Sequence, residues 1–262
     1  MRYFMKVFVF IVVLLGSAYA SGKVTQKECI NKGDNFLFAG GECIQFYEAS
    51  ADRPDTLTII VHGTWKEGTN TLGRYATFAD NLAIETDITT VAVALPGYSG
   101  SSTNFLQALS HDGETNLAFQ KRYIEFLSKL VLALKNKYKA KVVTYIGHSA
   151  GAAMGATLLG YKPKLVNNFV GVGGRYDIHK TSKNPKLISA IDYLDKIDKN
   201  TNIVLVYGTK DKISPPNITK SFYKIAKGHD FSTSIVKVNN AVHLDLDMSD
   251  TSVAAIVKLL EE

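Results

Sequence analysis

Short apolar runs alternate along the chain with longer runs in which apolar and polar residues are mixed. The short runs are rich in Val, Ile and Tyr, which is typical of buried strands. The longer runs repeat their apolar residues every three or four positions, as amphipathic helices do. The predicted strands are residues 42–49, 57–62, 88–95, 141–147, 166–172, 202–207 and 233–238. The predicted helices are residues 72–85, 115–138, 149–161, 185–198, 215–227 and 248–261.

This alternation of strand and helix predicts an α/β fold with a mostly parallel central sheet and helices on both faces. No repeat and no shift in composition divides residues 21–262, so we expect one domain. In such a sheet the loops that follow the strands meet at one edge, and ligands bind there. The residues just after each strand are therefore the first place to look for chemistry.

The first 20 residues have the parts of an export signal. Arg2 and Lys6 give a positive start, residues 7–15 are apolar, and residues 18–20 (AYA) form a small-residue cleavage site. The apolar run is shorter than the roughly 20 residues that span a bilayer, although a retained membrane anchor is the alternative. We expect cleavage after Ala20, export to the periplasm or the medium, and no stable membrane insertion afterwards.

The chain has two cysteines, Cys29 and Cys43. In an exported protein they predict a disulfide that staples an N-terminal hairpin and contributes about 3 kcal/mol through loop closure. Two thiols without further Cys or His neighbours do not make a zinc site, so we expect no metal.

The formal net charge is +6, and the first 20 residues contribute two of these cations, which leaves +4 on the exported chain. The lysines are spread along amphipathic stretches such as residues 129–141, which is typical of a solvated helix face. The charge therefore does not predict a nucleic-acid partner.

Residues 145–155 (YIGHSAGAAMG) place Ser149 between two glycines. Alone the pattern is weak, because a chain of this length contains it by chance about one time in ten, and an inert serine at a tight turn is the alternative. The apolar strand before it and the helix after it are the context that marks a nucleophile elbow. In that strained turn the neighbours two positions away must be small. We predict that Ser149 is a nucleophile.

A serine hydroxyl needs a base to take its proton. His243 is the candidate, because it follows the last predicted strand; a surface histidine beside Asp245 and Asp247 is the alternative. Of the remaining histidines, His148 lies inside the elbow and His62 lies in the loop after the strand at 57–62. The other three lie in polar stretches away from strand ends: His111, His179 and His229.

The base needs a carboxylate that fixes its tautomer and stabilises its charged form. Asp211 follows the strand at 202–207 and a Gly-Thr turn, which places it at the same sheet edge. Asp177 and Asp245 are the competing candidates.

Two backbone N–H groups are needed to hold the oxyanion that forms when a serine attacks a carbonyl group. We predict that Ala150, directly after the serine, gives one, and that Thr64 in the sequence HGTW gives the other, with Trp65 as the alternative. His62 and Gly63 are expected to be structural.

These segments resemble the α/β-hydrolase superfamily from residue 57 to His243. The matching residues are HGT at 62–64, GHSAG at 147–151, Asp211 and His243, and residues 95–102 (LPGYSGSS) are similar to another segment of the superfamily. The resemblance implies the α/β-hydrolase fold and the chain order Ser, Asp, His for the triad. It specifies no substrate.

Members of that superfamily often carry a helical cap after the sixth strand. Here the interval 174–200 is short, so we expect little or no cap and an open site bounded by Trp65, Tyr98, residues 99–114, Arg175 and Tyr176.

The sequence thus predicts an exported serine hydrolase that cleaves a small-molecule carboxylic ester through an acyl-enzyme, without a cofactor. A serine peptidase or amidase with the same triad is one alternative, and a non-catalytic binding protein on the same fold is another.

Overall fold

A computed structural model describes residues 22–113 and 116–261. The predicted export signal lies outside the described residues. Among the described residues, no helix combines the length and the apolar character needed to cross a membrane.

The core of the molecule is an eight-stranded sheet in the order β1-β2-β4-β3-β5-β6-β7-β8. The strand β2 pairs antiparallel with β1 and β4, and the pairs from β4 through β8 are parallel. The strands are β1 Phe36–Ala39, β2 Glu42–Ala49, β3 Thr56–Val61, β4 Thr90–Val93, β5 Val142–His148, β6 Asn168–Val172, β7 Asn202–Gly208 and β8 Thr233–Val238.

Six α-helices accompany the sheet in the described ranges: α1 Gln26–Ile30, α2 Thr71–Thr86, α3 Lys121–Lys137, α4 Ala150–Tyr161, α5 Pro216–Gly228 and α6 Asp250–Glu261. The helix α2 contacts α6, and α3 contacts α4. Every residue of β4, and every residue of β5 after its first, is buried, so both faces of the sheet are covered. This is the predicted α/β class with a mostly parallel sheet.

Two predicted helices differ from the structure. The predicted helix at 115–138 begins only at Lys121, because Gln120 has an extended backbone and pairs with Leu187 as an isolated bridge. Residues Leu117–Phe119 form a separate 3-10 turn. The predicted helix at 185–198 is wrong as an α-helix: it is a 3-10 segment, Ala190–Lys196, that begins after a capping box between Ser189 and Asp192.

The N-terminal part of the chain is fastened to the sheet by the predicted disulfide. Cys29 in α1 and Cys43 in β2 are bonded, with their Cα atoms 5.4 Å apart, and both are fully buried. The hairpin of β1 and β2 forms the outer edge of the sheet. The strand β1, which has four residues, is not among the strands that the sequence predicts.

A buried carboxylate beside this disulfide organises the loop that follows β4. Glu42 is fully buried, and its carboxylate accepts hydrogen bonds from the Ser102 hydroxyl and from three backbone N–H groups, at 2.6 to 2.8 Å. The three N–H donors are those of Asn104, Phe105 and Leu106. Residues 102–106 are thereby tied to the start of β2.

We predict that Glu42→Ala lowers the free energy of unfolding by about 3 kcal/mol, because it leaves several buried donors without an acceptor. Glu85→Ala is the control, since Glu85 is an exposed glutamate on α2 and its loss is expected to cost less than about 0.5 kcal/mol. Urea unfolding followed by circular dichroism gives both values. Equal stability of the two variants would show that Glu42 does not hold this loop.

Candidate active site

Ser149 lies at the sharp turn between β5 and α4, with φ 55° and ψ −115°. This left-handed backbone is unusual for a residue with a side chain and costs roughly 1–3 kcal/mol, which the surrounding structure must offset. The turn is packed so closely that a Cβ on Gly147 would lie 2.6 Å from the Gly151 backbone, and one on Gly151 would lie 2.2 Å from the Val61 carbonyl oxygen. Both glycines of the motif are therefore required for the turn.

Asp211 and His243 come together from the ends of β7 and β8. The Nδ1 atom of His243 lies 2.7 Å from Oδ2 of Asp211. The other oxygen, Oδ1, accepts hydrogen bonds from the backbone N–H groups of Ile213 and Ser214 at 2.9 and 2.8 Å. Because an ionised carboxylate only accepts, Nδ1 of His243 carries the proton and Nε2 of the neutral ring has a free lone pair.

Ser149 and His243 line the same cavity, which has a volume of about 400 Å³. The Nε2 atom of His243 is buried and has no hydrogen-bond partner within the described part of the chain. Hydrogen bonds between a serine nucleophile and its histidine base are often long or poorly aligned without substrate and tighten only when substrate binds. The rest of the wall is largely apolar and includes Leu109, Leu117, Ala118, Phe119, Ala153 and Ile213.

The surroundings of His243 favour the neutral imidazole. Burial lowers its pKa, the hydrogen bond that His243 donates to Asp211 opposes that effect, and the neighbouring His148 lowers the pKa further; the net result is a pKa below the ordinary 6.5. A neutral ring at neutral pH is what proton abstraction requires.

The loop after β3 touches the elbow. A Cβ on Gly63 would lie 2.7 Å from the Cβ of Ser149, and Thr64 lines the cavity. No backbone hydrogen bond among the described residues uses the N–H of Thr64 as a donor. The N–H of Ala150 is also free of an intrahelical acceptor, because Ala150 is the first residue of α4. Two backbone donors are thus available beside Ser149.

His62 braces this loop. Its buried ring donates from Nδ1 to the Gly63 carbonyl oxygen at 2.6 Å, and its Nε2 accepts from the Leu95 N–H at 3.0 Å. Burial lowers the pKa of His62 to about 4, so the ring stays neutral and keeps one donor and one acceptor. His62 is structural in this arrangement, as the sequence predicts.

The other candidates for base and acid lie elsewhere. The Nε2 of His148 donates to the carbonyl oxygen of His243 at 2.9 Å, which ties the His243 loop to β5. Asp177 accepts from the His179 backbone N–H and lies 3.7 Å from Lys180, and Asp245 pairs with Arg74. The three remaining histidines each face a different carboxylate: His111 faces Glu67, His179 faces Asp192 and His229 faces Asp195.

The predicted boundary of the site is partly wrong. Tyr98 is fully buried and supports the loop by donating to the Trp65 carbonyl oxygen at 2.8 Å, and Tyr176 is buried against Phe222. Arg175 does line the cavity. Residues 117–119, which helical periodicity predicts as part of a helix, form an apolar wall of the cavity. The signal that points to this wall is the apolar run before the charged start of α3.

Within residues 22–113 and 116–261, no group of three or more His, Cys, Asp or Glu side chains is arranged to hold a metal ion. The polar groups that line the cavity include Ser149, His243, Arg175 and the backbone donors beside Ser149. Ser149, His243 and the backbone donors are suited to nucleophilic attack on a carbonyl carbon.

Comparison with known proteins agrees with the fold. Residues 59–194 match a family model described as the alpha/beta hydrolase fold, a range that includes Ser149 and ends before Asp211 and His243. No protein of curated function matches the sequence.

Solved structures share the fold at low identity. The esterase Pf2001 of Pyrococcus furiosus is 16% identical with a TM-score of 0.61, covering 83% of this chain and 91% of that one. Est1E of Butyrivibrio proteoclasticus, solved with ferulic acid bound, is 14% identical with a TM-score of 0.57, over 86% and 96% of the two chains. TT1662 of Thermus thermophilus is 13% identical with a TM-score of 0.64, over 86% and 95%.

We predict that the imidazole of His243 titrates with a midpoint below pH 6.5, because burial disfavours its charged form. NMR of protein labelled at the histidine rings measures the midpoint, and the missing signal of His243→Gln assigns it. Asp211→Asn is expected to lower the midpoint further, since the carboxylate raises the pKa. A midpoint above 6.5 in the wild-type protein would contradict the proposed surroundings of the ring.

Proposed function

The chain belongs to the α/β-hydrolase family, and on that premise we propose that it is an exported serine hydrolase that cleaves carboxylic esters. The observation that supports this most strongly is the 2.7 Å contact between Asp211 and His243, whose free Nε2 opens on the cavity that holds Ser149. Thr64 and Ala150 supply the oxyanion donors in this proposal, and the elbow at Ser149 presents the nucleophile.

The first half of the reaction forms an acyl-enzyme. The Ser149 oxygen attacks the ester carbonyl carbon while Nε2 of His243 takes the hydroxyl proton, and the carbonyl electron pair moves onto the oxygen. The N–H groups of Thr64 and Ala150 hold that oxyanion. When the intermediate collapses, the bond to the alkoxy group breaks and the alcohol leaves with the proton from His243.

The second half restores the enzyme. A water molecule attacks the acyl carbon and gives one proton to His243, and collapse of the second intermediate releases the carboxylic acid and returns the proton to Ser149. Asp211 stays ionised throughout and stabilises the imidazolium. The net reaction consumes one ester and one water and yields one acid and one alcohol.

An ester is favoured over an amide as the scissile bond. Protonated His243 can give its proton to a leaving amine as well as to an alcohol, so the triad serves both bonds, but an alkoxy group leaves more readily than an amine. The structures that share this fold include esterases.

The proposed destination is outside the cytoplasm, in the periplasm or the medium. The signal-like residues 1–20 support it, and so does the buried disulfide between Cys29 and Cys43, because such bonds persist in oxidising compartments. We propose residues 21–262 as one hydrolase domain.

We predict that Ser149→Ala and His243→Ala each lower kcat/KM for p-nitrophenyl butanoate by at least about 10³-fold, because the first removes the nucleophile and the second removes the base. Asp211→Asn is expected to cost nearly as much, because its amide no longer fixes the histidine tautomer.

The matched control is Asp177→Asn, which removes the carboxylate that pairs with Lys180 and is expected to retain most of the activity. If Asp177→Asn abolishes turnover and Asp211→Asn does not, the acid is wrongly assigned. A panel of aminoacyl amides tests the bond: faster turnover of the amides than of the esters would favour a peptidase.

A further inference from the structure

Arg175 is a cation at the wall of the proposed active site. It follows β6 and two glycines, it is half-buried, and it lines the cavity that holds Ser149 and His243. One N–H of its guanidinium, on Nη2, donates to the Ile213 carbonyl oxygen at 3.1 Å. A guanidinium has five N–H donors, so most of them remain available to a ligand.

No carboxylate neutralises this cation within the described part of the chain. Asp177, the nearest acid in sequence, lies 3.7 Å from Lys180 instead. Asp211 is engaged with His243 and with backbone N–H groups. Apart from Arg175, the only titratable side chain that lines the cavity among the described residues is His243, which is neutral at neutral pH. The cavity therefore has a net positive wall.

A second cavity of about 480 Å³ adjoins the first, and Arg175 lines both. Its other walls are mostly apolar and include Tyr176, Ile191 and Phe222. Its other two charged residues, Asp177 and Lys180, pair with each other. Arg175 is thus the one uncompensated charge where the two cavities meet, as far as the described residues extend.

We infer that Arg175 binds a carboxylate of the substrate, so that the preferred substrate is an ester carrying a carboxylate on its acyl or alcohol part. The inference rests on the proposed function. A guanidinium binds a carboxylate through two parallel hydrogen bonds, which gives both energy and orientation. Because Arg175 is partly exposed, solvent weakens the interaction, and we expect about a tenfold preference over a neutral ester of the same shape.

A purely structural role for Arg175 makes a different prediction. Arg175 holds the Ile213 carbonyl oxygen, and the N–H of Ile213 donates to Asp211, so the arginine also supports the acid loop. Loss of that support would slow neutral and anionic esters equally. Loss of a substrate contact changes the ratio of their rates.

The test compares kcat/KM for two matched pairs of esters. In the first pair, the p-nitrophenyl half-ester of adipic acid and p-nitrophenyl hexanoate differ by a carboxylate at the end of the acyl chain. In the second pair, the butanoate esters of p-hydroxyphenylacetic acid and p-ethylphenol differ by a carboxylate on the alcohol. Rates of Ser149→Ala supply the background for each ester.

In the wild-type protein at least one pair is expected to show about a tenfold preference for the anion, which declines as salt is added. Arg175→Gln, which keeps a side-chain N–H donor, is expected to bring that ratio close to one, and Arg175→Lys to restore part of it. The control Lys212→Gln removes an exposed positive charge beside Ile213 and is expected to keep the ratio. A ratio near one for both pairs in the wild-type protein, or a ratio that Arg175→Gln leaves unchanged, would overturn the inference.

A second measurement does not depend on ester turnover. Two alkyl fluorophosphonates, one ending in a carboxylate and one in a methyl group, are compared for their rates of reaction with Ser149. Faster reaction of the anionic reagent in the wild-type protein, lost in Arg175→Gln, supports the inference even if the natural bond is an amide. Equal rates overturn the inference alone, whereas failure of Ser149 to react with either reagent overturns the proposed function as well.

Discussion

The left-handed backbone of Ser149 is the constraint on which the rest of the site depends. The strain of this turn is offset because β5 is buried after its first residue and α4 is almost wholly buried, and because Gly147 and Gly151 let them approach each other. The turn lifts the serine side chain to the cavity and leaves the first N–H of α4 free beside it. A larger residue at either glycine would collide with backbone atoms and disrupt the turn. Disruption of the turn would displace both the Ala150 N–H group and the Ser149 side chain.

Burial sets the charge state of the groups around this turn. It holds His62 and His243 in their neutral forms, and hydrogen bonds then decide which ring nitrogen carries the proton. Backbone N–H groups hold two of the buried carboxylates: Asp211 accepts from two N–H groups and Glu42 from three. The acids thus order the loops that face the cavity, and within the described chain Arg175 keeps its charge exposed to that cavity.

The sequence predicts the central strands, and it predicts that Ser149, Asp211 and His243 lie close together. Both predictions depend only on short apolar runs and on the residues that follow them along the chain. Buried parallel strands are continuous apolar runs. Ser149 and Asp211 follow such runs and His243 follows the less buried β8, all at the edge where strand ends must meet. The strand Phe36–Ala39 has an apolar run of only four residues, most of them half-buried, and its position depends on pairing with β2.

The cavity walls are harder to predict because tertiary contacts decide them. Residues 117–119 continue the helical period of α3 in sequence, yet the bridge between Gln120 and Leu187 breaks the helix and turns them toward the site. Tyr98 is an aromatic residue near a strand end, as many pocket residues are, but it lies inside the core. Periodicity specifies which face of an element is buried, and it does not specify which loops close over a given strand end.

The most direct test of this account is the reaction of the folded protein with a fluorophosphonate, followed by intact mass and peptide mapping. The account predicts a single adduct on Ser149, no adduct in Ser149→Ala, and much slower labelling in His243→Ala. Absence of an adduct on Ser149 in the folded wild-type protein, or labelling that persists in Ser149→Ala, would contradict it.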